Sequence, residues 1–104
     1  MPKIKITVLK TEFYPEIADE YRNPKAHQGP CPFFEEGQEF VLGEDWAIPP
    51  EGFCGWAWTD IQRPLFAVLT GGDLNPWMKN PNTWIACCTD GVKPVTFKIE
   101  RVED

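Results

Sequence analysis

Four cysteines, Cys31, Cys54, Cys87 and Cys88, are the side chains of this 104-residue chain best suited to chemistry. Brought together as thiolates, three or four of them would ligate a soft transition metal such as zinc or iron, or a cofactor that contains one. Two would alternatively form a redox couple. Cys54 is then the candidate nucleophile, because it directly precedes a helical pattern and would meet unpaired amides and the positive end of a helix dipole. A Cys87–Cys88 bridge is disfavoured by geometry: neighbouring Cα atoms are about 3.8 Å apart, whereas disulfides want roughly 4.4 to 6.8 Å. The spacing also lacks the close Cys-x-x-Cys pair of zinc fingers, rubredoxins and thioredoxins. Cysteine is, besides, a small and commonly buried core residue. Metal or cofactor ligands, a thiol redox pair and apolar filler therefore all stand as readings.

The tryptophans lie close to these thiols. Trp56 and Trp58 follow Cys54 and Trp84 precedes the cysteine pair, so the three indoles are candidates to wall a pocket or stack on a flat ligand. Trp46 and Trp77 fall in polar loops and are candidates for a partner or ligand face. His27, the single imidazole, stands four residues before Cys31. It reads as an exposed loop residue, with the alternatives of a nitrogen ligand or a helper to a thiol. Glu35, Glu36, Glu39, Glu44, Asp45 and Glu51 read as a solvated acidic face without an EF-hand pattern. Asp60 and Arg63 are expected to form a surface ion pair. No phosphate-binding glycine loop or nucleophile elbow occurs, so binding is favoured over catalysis and no reaction is assigned.

Elements must position these residues. KIKITVLK alternates, with Ile4, Ile6 and Val8 on one face, and PVTFKIERV does the same with Val95, Phe97 and Ile99. Both ends of the chain thus predict half-buried strands, and antiparallel pairing of the two is expected. Pro15 and Glu16 open a short helical pattern carrying Ile17, Ala18 and Tyr21. A turn at Gly37 leads into a strand through Phe40, Val41 and Leu42. The main helix is predicted around 55–70, with Trp56, Ile61, Leu65, Phe66 and Leu69 as its apolar positions. Pro64 is expected to kink or restart it, and Gly71-Gly72 to end it. TWIACC reads as a strand closed by a turn at Asp90-Gly91. Side chains alternate along a strand, so Cys87 and Cys88 cannot face the same site unless the strand ends or bulges between them, and Cys88, next to the turn, is the favoured functional partner. The prediction is a compact, sheet-dominated α+β domain spanning residues 1–104.

Composition bounds the function. The chain is 42% apolar and 25% charged, and 11 prolines and 8 glycines favour short elements over a long-helix bundle. Its length suffices to bury about two-thirds of the unfolded surface, so staples are optional. A net charge of −6 repels phosphate backbones and anionic membranes, which excludes nucleic acid and membrane partners from the expectation. A protein or small-molecule partner remains. Without a signal-like or membrane-length apolar run, the chain is expected to be soluble and cytoplasmic, where thiols stay reduced.

Three segments, GPCPFFEEGQEF, GFCGWAW and ACCTDGVKPVTFKIERVED, together resemble a family of small uncharacterised cysteine-containing proteins of mainly anaerobic bacteria and archaea. The resemblance covers nearly the whole chain, since the opening strand is also similar. It implies a single-domain cytoplasmic protein whose recurring cysteine positions fall on Cys31, Cys54 and the Cys87/Cys88 pair. Members often carry one cysteine rather than two before the Asp-Gly turn, and no activity comes with the resemblance. The leading expectation is a thiol-rich accessory protein that holds a soft metal or metal-containing cofactor through Cys31, Cys54, Cys88 and Cys87. The alternatives are a Trp-rich binding module and a thiol redox protein.

Overall fold

The computed structural model describes residues 3–43 and 47–102. Alternating apolar residues at both ends of the chain form the two central strands, β1 (Lys3–Thr11) and β4 (Val95–Val102), paired antiparallel. Ile6 stands opposite Ile99 and Val8 opposite Phe97, so both apolar rows fall on one face. A register shift between Val8 and Lys10 bulges β1 at Leu9, which is left exposed. Strand β2 (Glu39–Leu42) adds to the outer edge of β1, and β3 (Thr83–Cys87) to that of β4. The result is a four-stranded antiparallel sheet of order β2-β1-β4-β3. Together with two helices, α1 (Pro15–Tyr21) and α2 (Gly55–Leu69), it makes a compact, sheet-dominated α+β fold.

Helix α2 crosses the apolar face. Ala57, Trp58, Ile61, Leu65, Val68 and Leu69 recur at helical spacing and are buried against Ile4, Ile6, Val8, Val95, Phe97 and Ile99. Helix α2 continues through Pro64, so it is not restarted there. Proline costs an interior helix about 3 kcal/mol, and buried residues on both sides, Ile61 and Leu65, hold the two halves to the same sheet. Gly71 and Gly72 do end the helix: the Gly72 N–H donates to the Ala67 carbonyl at 2.9 Å and the Gly71 N–H to that of Val68 at 3.2 Å. This double closure satisfies carbonyls that the last turn would leave open, and Gly71 adopts the φ of 86° that it requires.

Two local expectations are corrected. In α1 only Ala18 is buried, while Ile17 and Tyr21 are exposed; α2 already occupies the sheet's apolar face. In α2, Trp56 and Phe66 point to solvent and Trp58 takes the core position, because the buried stripe runs through 58, 61, 65 and 69. The opposite face of the sheet is polar and carries ion pairs from Lys5 to Glu39 and Glu100 and from Lys98 to Glu100. Among the described residues no helix is long and apolar enough to cross a membrane.

Candidate functional site

Three separate segments meet at the amino-terminal end of α2. The first follows α1, from Arg22 at its carboxyl cap to Phe34. Phe34 is buried edge-on between Phe53 and Phe97, with ring centroids 5.0 and 5.2 Å away, which pins the loop that carries Cys31. Phe53 belongs to the same cluster, stacking on Phe97 at 5.5 Å, and so fixes the approach to Cys54. Cys54 sits at the amino-terminal cap of α2 in extended conformation and makes no side-chain capping bond. The third segment is the turn between β3 and β4. The Cys88 N–H donates to the Val95 carbonyl at 3.1 Å, and the Val95 N–H returns a bond to Cys88 Sγ at 3.3 Å.

These segments enclose an open pocket of about 500 Å³, and Cys31, Cys54 and Cys88 all line it. Its size falls within the range of small-ligand sites. Cys88 is buried, while Cys31 and Cys54 are partly covered. Arg22, Phe33, Trp56, Asp90 and Lys93 supply further wall. The wall is braced from behind: Trp56 Nε1 donates to Thr89 Oγ1 at 2.8 Å, and the Thr89 N–H and hydroxyl donate to Asp60 Oδ2 at 2.8 and 3.1 Å. Asp60 is thus committed to Thr89, and among the described residues the expected ion pair with Arg63 is not formed.

Asp90 organises the turn. Its Oδ1 accepts from the N–H groups of Val92 at 2.9 Å and Lys93 at 3.1 Å, and from Arg22 Nη2 at 3.1 Å. Partial burial pushes the carboxyl up, but the two backbone donors and the Arg22 guanidinium outweigh it and hold the pKa below its ordinary 3.8. Two backbone bonds complete the frame, from the Tyr14 N–H to the Val92 carbonyl at 2.9 Å and from the Glu12 N–H to that of Pro94 at 3.1 Å.

The structure brings together three of the four candidate sulfurs. Cys87 is exposed and faces the opposite side of the sheet, opposite Thr96, away from the pocket. Of the candidate indoles only Trp56 reaches the wall; Trp58 is buried in the core, and Trp84 is half-buried against it. Trp77 is exposed and does not line this pocket, and neither does His27, whose Nε2 lies 3.1 Å from the Pro30 carbonyl. Trp46, Glu44 and Asp45 lie outside the described residues. Arg22, Phe33 and Lys93 were not anticipated. Lys93 carried a signal, because it follows the Asp90-Gly91 turn beside Cys88; Arg22 and Phe33 carried none beyond their nearness to a helix end and to Cys31.

The sulfurs line a wall and do not close into a preformed cage: among the described residues no group of three His, Cys, Asp or Glu side chains is arranged to hold one metal ion. The wall presents three thiols, aromatic surface from Phe33 and Trp56, the Arg22–Asp90 ion pair and the side chain of Lys93. No family model, curated protein or solved structure matches the chain.

Proposed function

We propose that this chain is a thiol-rich accessory protein whose pocket holds a soft metal within a metal-containing cofactor, contacted by Cys31, Cys54 and Cys88. The observation that carries the reading is the convergence of three cysteines, from three segments far apart in sequence, on one pocket wall. A volume of about 500 Å³ far exceeds the coordination sphere of a bare ion and supports a cofactor of molecular size. All four cysteines are free, which suits a reducing compartment such as the cytosol. Elemental analysis of protein purified without oxygen, combined with titration by Co²⁺ read through its thiolate charge-transfer absorption, tests the proposal. Serine at position 31, 54 or 88 should weaken binding by about 10-fold or more, a typical loss when a metal site is disturbed, and Cys87→Ser should leave it intact. Absence of metal, or retention unaffected by all three changes, removes the proposal.

A second reading, a metal-free binding module, is favoured by one observation: Trp56 and Phe33 are 69% and 65% exposed although both line the pocket. Exposed rings on a pocket wall offer stacking surface for a flat apolar ligand. The same variants separate the two readings, since a ligand that still quenches tryptophan fluorescence after all three pocket thiols are replaced needs no sulfur.

A further inference from the structure

We infer that the ligand of this pocket carries an anionic group, received by Lys93 at the β3–β4 turn. The inference rests on the reading of the pocket as a ligand site and adds the charge of what enters it. Charge on the wall comes from three side chains, Arg22, Asp90 and Lys93. Arg22 and Asp90 neutralise one another at 3.1 Å, and the two N–H groups on Asp90 occupy the same carboxylate oxygen. Asp60, which does not line the pocket, accepts from the Thr89 N–H and hydroxyl and remains an anion. The Lys93 ammonium has no ion pair among the described residues and is the one uncompensated charge on the wall.

The backbone that carries Lys93 is held in place. Its backbone N–H is held by Asp90, Val92 beside it is held by the Tyr14 N–H, and Pro94 after it stiffens the chain. A half-buried lysine that lines the same pocket as three thiols fits a soft group that carries negative charge on its body, such as a metal–sulfur anion or an aryl-bound metal with a carboxylate. The chain as a whole carries −6, so its overall field opposes such a ligand. A local preference for an anion therefore has the opposite sign from the global one.

That opposition supplies the experiment. In a Cys87→Ser background, the labelling rates of Cys31, Cys54 and Cys88 are compared, by peptide mass, for phenylmercury hydroxide and 4-hydroxymercuribenzoate. In each reaction mercury exchanges hydroxide for sulfur, and the thiol proton leaves with hydroxide as water. The carboxylate-bearing reagent should label these thiols about tenfold faster than the neutral one. Lys93→Gln should reverse the order, and Lys93→Arg should restore it. Equal or slower labelling by the carboxylate reagent, or a ratio untouched by Lys93→Gln, overturns the inference while leaving the pocket reading in place. Failure of both reagents to reach the three thiols overturns the pocket reading too.

Discussion

Cys87 and Cys88 are neighbours in sequence, yet the sheet separates them: one sulfur meets solvent on the polar face and the other lies buried at the pocket. The period of two along a strand made this legible in advance, because adjacent residues of an extended chain cannot share a face. The roles of Arg22 and Asp90 were not legible, since their ion pair joins the end of α1 to a distant turn. Asp90 gives a residue-scale prediction. Folding lowers its pKa, so its stabilisation is present in full above 3.8 and is lost as pH falls through the lower folded-state value. Asp90→Asn should therefore lower stability by about 1–2 kcal/mol at neutral pH, measured by urea unfolding. The parent and the variant should converge near the acid end of the range. A stability gap of constant size across pH would contradict the role assigned to this carboxylate.

At the scale of elements, the strands were readable because alternation needs no tertiary information, and β1 and β4 form where Ile4, Ile6, Val8 and Val95, Phe97, Ile99 alternate. Helix α2 was readable for the same reason, but its buried tryptophan is Trp58, in line with Ile61 and Leu65, and not the expected Trp56. Its carboxyl end yields a prediction. A Cβ on Gly72 would lie 2.8 Å from the Ala67 carbonyl oxygen, a backbone atom that cannot give way, and Gly71 holds a φ of +86°. Alanine at either position should cost about 1 kcal/mol or more. Gly55→Ala, at the start of the same helix with open space around its Cβ, should be neutral or stabilising. Thermal unfolding of the three variants checks this, and equal effects would show that the helix does not end as described.

At the scale of the molecule, one helix covers one face of a four-stranded sheet, and the pocket opens where that cover begins. The Phe34–Phe53–Phe97 cluster fastens two of the pocket's segments to β4, and Cys88 is fastened to β4 directly through Val95. No local pattern in the sequence encodes that meeting, which is why convergence of the thiols was an expectation about folding and not about motif. The central claim is that Cys31, Cys54 and Cys88 share one site from which Cys87 is excluded. Residue-resolved alkylation by iodoacetamide under anaerobic conditions, with and without stoichiometric cadmium, measures it most directly. Cys31, Cys54 and Cys88 should become protected together while Cys87 reacts at an unchanged rate. Protection of Cys87, or independent behaviour of the other three, would contradict it.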